Sequence, residues 1–195
     1  TPFYAGASVV LNRKFDSNVF FKRISDENVH IVSVVPTLLA FLLEVDVIDD
    51  ANSAIKQGFR HIICGAGPLT CELAQRFINR FGINIVHGYG LSETTCYSCF
   101  LPLDINESTY RKWMFDYGFP SIGVEIPCNE MDIQNSLDES VSEMERGEIV
   151  VRGVNVMNGY LNNEEANRSA FEFFWFRTGD EGFFKKDEHG RRFFF

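Results

Sequence analysis

Short apolar runs alternate with amphipathic stretches over the first 118 residues of the chain. The amphipathic pattern is clearest around Leu73, Phe77 and Phe81, which recur at helical spacing while charged residues occupy the opposite side. Strands that alternate with helices over short links indicate βαβ units and therefore a parallel sheet. The apolar runs that predict strands are residues 7–11, 30–34, 61–64 and 84–87.

The pattern changes after Phe119 and Pro120, where short runs of alternating polarity are separated by acidic turns. Such runs predict an antiparallel sheet, with one helix at 164–170. The runs are residues 123–126, 130–133, 147–152, 181–185 and 191–195. We therefore predict an α/β fold in two parts: residues 1–118 form a parallel α/β subdomain, and residues 119–195 form a smaller antiparallel β subdomain.

The composition excludes several classes of protein. The 195 residues are long enough to bury a sizeable core, and 45% hydrophobic with 23% charged residues is ordinary for a globular protein. Eighteen basic against 27 acidic residues give a net charge of −9. This balance argues against a nucleic-acid partner, whose binding depends on neutralising phosphates. No apolar run approaches the roughly 20 residues that span a bilayer.

The five cysteines are an odd number scattered through apolar or helical surroundings. This usage is typical of reduced thiols and predicts a cytoplasmic protein. Cys96 and Cys99 form a C-x₂-C pair, but a zinc site would need two further ligands at comparable spacing. We therefore interpret the cysteines as small, buried hydrophobic residues.

The stretch from Ile85 to Thr95 carries the candidate chemistry. Its two glycines allow the backbone to approach a ligand closely, and Tyr89 between them offers a flat face to a purine. Ser92 can donate to a phosphate oxygen, and Glu93 is the type of oxygen ligand that Mg²⁺ prefers. Taken alone, the same residues fit equally well a strand–turn–helix link with a core tyrosine and a capping serine.

Two other glycine-based motifs fit less well. Neither Gly65-Ala66-Gly67 nor Gly88-Tyr89-Gly90 has the third glycine of the dinucleotide-binding fingerprint. Gly90-Leu91-Ser92-Glu93-Thr94 lacks the final glycine of a nucleophile elbow, and its glutamate would oppose a developing oxyanion.

Gly88-Tyr89-Gly90-Leu91-Ser92-Glu93 resembles the Gly-Tyr-Gly-x-Thr/Ser-Glu motif of the adenylate-forming superfamily, which contains acyl-CoA synthetases, peptide-synthetase adenylation domains and luciferases. Three further stretches resemble motifs of that family and follow its order. They are Gly65-Ala66-Gly67-Pro68-Leu69, the pair formed by Gly147-Glu148 and Gly159-Tyr160-Leu161, and Trp175-Phe176-Arg177-Thr178-Gly179-Asp180. Together they span most of residues 60–182.

The resemblance implies a two-step ligase. A carboxylate attacks the α-phosphate of ATP to give an acyl-adenylate and pyrophosphate, and the thiol of CoA then takes the acyl group. The catalytic residues it implies are Ser92, which contacts the α-phosphate, and Glu93, which binds Mg²⁺. It also implies that Asp180 binds the ribose. The other nucleotide-binding positions are Gly65, Ala66, Gly67, Pro68, His87, Gly88, Tyr89, Gly90 and Thr94.

The substrate implied is a small carboxylic acid. The apolar segment 37–43, with Cys96, Tyr97 and Phe100, indicates an apolar acyl or aryl chain. His87 also fits a satisfied polar side chain at a strand end, which we favour over a catalytic base. Phe173 and Phe174 stand where many family members have Asp-Gly.

Family members also carry a Ser/Thr/Gly-rich phosphate loop ending in Pro-Lys-Gly, and a small C-terminal domain with a catalytic lysine. Neither occurs in this sequence. We therefore expect an internal piece of a larger acyl-CoA synthetase that is inactive alone. Two alternatives stay open: an acyl-AMP ligase or adenylation domain that loads a carrier protein, and a non-catalytic nucleotide-binding relative.

Overall fold

The computed structural model describes residues 2–195. Thr1, the first residue of the predicted 1–118 subdomain, lies outside the described residues. The chain forms two compact units. The first contains the chain up to Gly67 together with Glu72–Ile85, and the second contains Pro68–Cys71 and Val86–Phe195. The units therefore divide the chain elsewhere than at residue 119, and the two predicted subdomains stay a prediction.

Helices and strands alternate in the first unit, and strands dominate the second. The α-helices in residues 2–195 are α1 (Phe20–Asp26), α2 (Pro36–Leu43), α3 (Ile48–Lys56), α4 (Cys71–Phe81), α5 (Glu107–Phe115) and α6 (Glu164–Ala170). The strands there are β1 (Ile31–Val34), β2 (His61–Cys64), β3 (Asn84–Tyr89), β4 (Cys99–Phe100), β5 (Val124–Glu125), β6 (Asn129–Gln134), β7 (Gly147–Gly153), β8 (Phe176–Gly182), β9 (Phe184–Lys186) and β10 (Arg192–Phe194).

The first unit has a parallel strand pair, in which Ile31 of β1 lies opposite His61 of β2. The helix α4 buries Phe77 and Phe81, as its periodicity predicts, with ring centroids 4.9 Å apart. Gly82 ends this helix with a φ of +65°, a conformation that glycine adopts without steric cost.

The predicted strand at residues 7–11 is wrong. These residues form no strand, and Leu11 is 91% exposed. No strand within residues 2–195 pairs with this segment. An apolar run becomes a strand only when a neighbouring strand satisfies its backbone hydrogen-bonding groups, so the local pattern was insufficient here.

The second unit is built from antiparallel strands. In one sheet Tyr89 of β3 lies opposite Cys99 of β4, and β4 pairs in turn with β5. The strands β6, β7 and β8 form a second antiparallel sheet, and β9 pairs with β10. The core of this second unit contains Met131, Ile133, Val151 and Phe194. The prediction of an α/β fold with a parallel sheet and smaller antiparallel pairing is confirmed, and the antiparallel pairing already begins at β4.

The sequence analysis missed α5. Its start is marked by Asn106, whose side chain accepts a hydrogen bond from the Thr109 amide at 2.9 Å. Tyr110 and Trp113 then follow at helical spacing and are buried, and the indole stacks on Phe193 with centroids 4.0 Å apart. None of the helices within residues 2–195 is long and apolar enough to cross a membrane.

Candidate nucleotide-binding site

Gly88 and Gly90, at the end of β3, are required by packing against the chain itself. A Cβ atom on Gly88 would lie 2.6 Å from the Phe100 ring, and one on Gly90 would lie 2.1 Å from the Cys96 carbonyl oxygen. These distances are too short for any other residue. The sequence analysis predicted that a ligand approaches the backbone at these glycines, but the neighbouring strand and turn already occupy that space.

Tyr89 and Asp180 meet across the second unit. The Tyr89 side chain is half-buried and packs against the apolar core, while its hydroxyl donates to Asp180 Oδ2 at 2.6 Å. Burial raises the pKa of Tyr89 well above its ordinary value of 10.0, and the Asp180 hydrogen bond raises it further. The phenol therefore stays protonated and acts as a donor, and it directs the exposed carboxylate of Asp180.

The backbone that carries Asp180 is held by polar side chains. Thr178 Oγ1 donates to the Ile149 carbonyl at 2.7 Å and accepts from the Asp180 amide at 3.1 Å. Gly179 has a φ of +76°, which favours glycine, and its amide donates to Glu148 Oε1 at 3.0 Å. Asp180 thus projects from an irregular stretch of β8 that the two preceding residues stabilise.

Glu148 joins two of the motifs. Its other oxygen, Oε2, accepts from Arg177 Nε at 2.9 Å, and the same guanidinium contacts Asp138. The sequence analysis quoted Glu148 in its motif but gave it no role. Two sequence features could have indicated a role for Glu148: its negative charge in one motif and the positive charge of Arg177 in another. The two residues are adjacent only because β7 and β8 pair.

Ser92, Glu93 and Thr94 form a single 3₁₀ turn after β3. Ser92 is exposed and Glu93 is half-buried, whereas Thr94 is fully buried. The Thr94 hydroxyl accepts from the Leu91 amide at 3.0 Å and contacts the Leu91 carbonyl at 3.2 Å. Thr94 therefore closes its own turn, while Ser92 and Glu93 remain directed outward.

Glu93 has a partner that the sequence analysis did not assign. The Tyr160 hydroxyl donates to Glu93 Oε1 at 2.9 Å. The Met157 amide also donates to the Glu93 carbonyl at 2.7 Å. The Gly159-Tyr160-Leu161 segment gave a sequence signal, but only the tertiary structure identifies what Tyr160 contacts.

His87 lies in the interior, with 6% of its surface exposed. Its Nδ1 lies 3.0 Å from the Ser121 carbonyl oxygen, which can only accept, so Nδ1 carries the hydrogen. Burial lowers the pKa of His87 below its ordinary value of 6.5, although hydrogen bonds to the carbonyls of Ser121 and Pro120 oppose the shift. This is the environment of a satisfied, neutral histidine.

The remaining predicted residues lie on the 65–68 turn. Gly65 is buried at the end of β2, while Ala66, Gly67 and Pro68 are exposed. Ala66 has a φ of +58°, an uncommon conformation for a residue with a side chain. Gly65, Ala66 and Gly67 belong to the first compact unit, and Pro68 belongs to the second.

The cysteines correct one interpretation. All five are free thiols, and Cys64 and Cys99 are buried, but Cys96 and Cys128 are exposed. Not every cysteine is therefore a buried hydrophobic residue. Within residues 2–195, no cluster of three or more His, Cys, Asp or Glu side chains could hold a metal ion by itself.

A cavity of about 240 Å³ in the second unit lies elsewhere. It is lined by α5 with the segment that precedes it and by the β9–β10 hairpin, through residues that include Asp104, Lys112, Lys186 and Arg191. None of the predicted site residues lines it. The candidate site residues instead form two contacts outside this cavity, Tyr89 with Asp180 and Tyr160 with Glu93.

The carboxylate oxygens and the aromatic ring of these residues suit a magnesium nucleotide. Within the described part of the chain, Glu93 Oε2 makes no hydrogen bond, and a single carboxylate is typical of Mg²⁺ sites that are completed by water and phosphate. Asp180 offers an acceptor to a sugar diol, and Tyr89 beside it offers an aromatic ring.

A mixed α/β fold with these motifs in this order is the pattern of adenylate-forming enzymes. The sequence model of the family described as AMP-binding enzyme matches residues 1–161. The chain therefore belongs to this family.

Named relatives show the same relationship. The chain is 32% identical over 189 residues to a luciferin 4-monooxygenase of Luciola mingrelica, covering 96% of this chain and 32% of that protein. It is 32% identical over 182 residues to a 2-succinylbenzoate–CoA ligase of Bacillus licheniformis, covering 93% and 34%. The chain thus spans about a third of the length of these relatives.

A solved structure has a similar fold. The O-succinylbenzoate coenzyme A synthetase of Bacillus subtilis, in complex with ATP and magnesium ion, superimposes with a TM-score of 0.75 at 28% identity. The match covers 97% of this chain and 36% of that one.

Proposed function

We propose that the chain is part of an ATP-dependent acyl-CoA synthetase, which joins a carboxylic acid to CoA through an acyl-adenylate. Residues 1–118 would contribute the adenine- and acyl-binding part, and residues 119–195 the part with the ribose-binding Asp180. The relatives named as a 2-succinylbenzoate–CoA ligase and an O-succinylbenzoate coenzyme A synthetase support this class of reaction.

One observation carries the proposal: the 2.6 Å hydrogen bond from Tyr89 to Asp180. It joins the aromatic residue of one motif to the carboxylate of another that lies 91 residues later. An aromatic face next to an acceptor-only carboxylate is the combination that an adenine and a ribose diol require.

The chemistry of the first step assigns roles to the chain's own residues. Two anions must approach each other, so the phosphates must be neutralised and aligned for attack. Bound Mg²⁺ supplies the charge neutralisation. Glu93 would hold the metal, and the exposed hydroxyl of Ser92 would donate to the α-phosphate. Thr94 supports the turn, since its hydroxyl is bonded to Leu91.

The adenosine contacts follow from the same geometry. Asp180 accepts from the ribose hydroxyls, and the ring of Tyr89, whose hydroxyl is bonded to that carboxylate, lies along the adenine. His87 supports β3 from the interior. In the second step CoA takes the acyl group, so adenosine monophosphate leaves with the bond electrons of the mixed anhydride.

We further propose a small carboxylic acid with an apolar acyl or aryl chain as substrate, and a cytoplasmic location. Tyr97 and Phe100, whose ring centroids are 4.3 Å apart, support the apolar substrate. The five free thiols support a reducing compartment.

The test is carboxylate-dependent exchange of pyrophosphate into ATP, measured on the full-length protein that contains this chain. A panel of apolar acyl and aryl acids should include at least one that drives exchange, and Asp180→Ala and Glu93→Gln should each suppress it. Because the chain spans about a third of its relatives, we expect negligible pyrophosphate release from the 195 residues alone.

The acceptor is tested separately. Thioester formation with CoA supports the synthetase, whereas transfer only to a phosphopantetheinyl carrier identifies a domain that loads a carrier protein. Binding of ATP with no exchange for any acid would identify a non-catalytic relative and would contradict the proposal.

A further inference from the structure

Tyr160 and Glu93 are joined although 67 residues separate them. The phenol donates to Oε1 of the carboxylate at 2.9 Å, which is a charge-assisted hydrogen bond when Glu93 is ionised. One carboxylate oxygen is therefore held, and the other is left for a ligand. A glutamate side chain without such a partner would sample many rotamers.

The chain around Tyr160 is also bonded to the turn that carries Glu93. The Met157 amide donates to the Glu93 carbonyl at 2.7 Å. Asn155 Nδ2 donates to the Thr94 carbonyl at 2.7 Å, and Thr95 Oγ1 donates to the Asn155 carbonyl at 2.7 Å. These bonds run in both directions between the two segments, so that each holds the backbone of the other.

Asn167 fixes Tyr160 from the helix α6. Its Oδ1 accepts from the Tyr160 amide at 2.6 Å, and its Nδ2 donates to the Tyr160 carbonyl at 2.9 Å. The two bonds pair a side-chain amide with both main-chain groups of one residue. Gly159 permits the arrangement, because its φ is +145° and a Cβ there would lie 2.8 Å from Asn167 Oδ1.

We infer that Tyr160 is a positioning residue that directs Glu93 toward the metal of a bound magnesium nucleotide, and that Asn167 holds Tyr160 in place. The inference rests on the proposed function, since it takes Glu93 as the metal ligand. Residues that bond to a metal ligand in this way commonly change metal affinity by about 10- to 100-fold when they are removed.

The test measures metal binding directly. Mn²⁺ is titrated into the full-length protein with α,β-methylene ATP, and free Mn²⁺ is followed by electron paramagnetic resonance. Tyr160→Phe should weaken Mn²⁺ binding by about tenfold. It should leave unchanged the affinity for the nucleotide in the presence of EDTA and the melting temperature. Asn167→Leu should weaken Mn²⁺ binding in the same direction.

Tyr117→Phe is the matched control. It removes a phenol hydroxyl from a half-buried ring that stacks on Trp113 with centroids 5.4 Å apart, and it should leave Mn²⁺ binding unchanged. In a double-mutant cycle, Tyr160→Phe should add nothing to the loss caused by Glu93→Gln, because the hydroxyl acts through that carboxylate.

Three results would overturn the inference, and they are distinguishable. Tyr160→Phe with unchanged Mn²⁺ affinity, alongside a large loss for Glu93→Gln, would remove the role of Tyr160 while the proposed function stands. Unchanged affinity in both variants would remove the metal role of Glu93 as well. Equal loss of nucleotide affinity with and without metal would assign Tyr160 a merely structural role.

Discussion

The Tyr89 hydroxyl donates to the Asp180 carboxylate at 2.6 Å, and this bond joins two motifs that are 91 residues apart. Asp180 is exposed, whereas Tyr89 is half-buried and anchored in the core. The more buried residue thus orients the exposed one. For a proposed ribose ligand this arrangement reduces the entropy lost when the nucleotide binds.

Asp180→Ala should therefore weaken ATP binding by roughly 10- to 100-fold, since hydrogen bonds to a charged group contribute about 1.5–3 kcal/mol. Tyr89→Phe keeps the ring and should cause a smaller loss. Isothermal titration of the full-length protein with ATP measures both. Asp116→Asn, at the exposed end of α5, is the control. Unchanged affinity in Asp180→Ala would contradict the ribose role.

Glu148→Gln should destabilise the fold by about 1–3 kcal/mol, because it leaves a poorly solvated guanidinium with one charged partner fewer. The side chains of Arg177 and Glu148 are only 15% and 26% exposed. Urea denaturation followed by tryptophan fluorescence measures the change in the free energy of unfolding.

The control for that change is Glu130→Gln. Glu130 pairs with Arg152 on the same sheet, but these side chains are 65% and 49% exposed, so the loss should stay below about 1 kcal/mol. Equal losses in the two variants would show that burial of the Arg177 pair has no energetic consequence.

Phe174→Gly should stabilise the protein by about 0.5–1 kcal/mol, because a side chain at positive φ is strained. Phe173 and Phe174 have φ values of +55° and +67°, and Phe174 is 93% exposed, so the substitution removes little packing. Thermal denaturation checks the prediction. Phe119→Gly is the control, since Phe119 is exposed and its φ is not positive. A lower melting temperature for Phe174→Gly would contradict the argument.

His87 should make the protein less stable in mild acid. Burial places the pKa of His87 in the folded state below 6.5, so the unfolded chain binds the proton more readily. The stability that depends on a neutral His87 side chain is fully present above pH 6.5, and it is lost as the pH falls from there through the folded-state pKa. The greatest slope for one histidine is about 1.4 kcal/mol per pH unit.

Urea denaturation between about pH 5 and pH 7.5 tests this effect, because histidine titrates in that range. His87→Gln should reduce the slope of unfolding free energy against pH. The same slope in His87→Gln as in the unsubstituted protein would mean that another group, such as the buried His61, dominates.

Local patterns predicted much of the fold. The helix at 164–170 has the predicted bounds, and β2 occupies the predicted residues 61–64, since alternation and helical spacing act over a few neighbours. The strand at residues 7–11 was wrong and α5 was missed. A strand depends on a distant partner, and the spacing of Tyr110 and Trp113 was overlooked among polar neighbours.

The sequence by itself determined the family, through the order of its motifs, and the mixed α/β class, through its periodicity. Only the tertiary structure decided which polar groups meet: Tyr89 with Asp180, Tyr160 with Glu93, and Glu148 with Arg177 and Gly179. It also placed Thr94 and His87 in the interior. The reason is physical: a hydrogen bond requires atoms within about 3 Å of each other, and for residues far apart in the chain that distance depends on strand pairing and core packing.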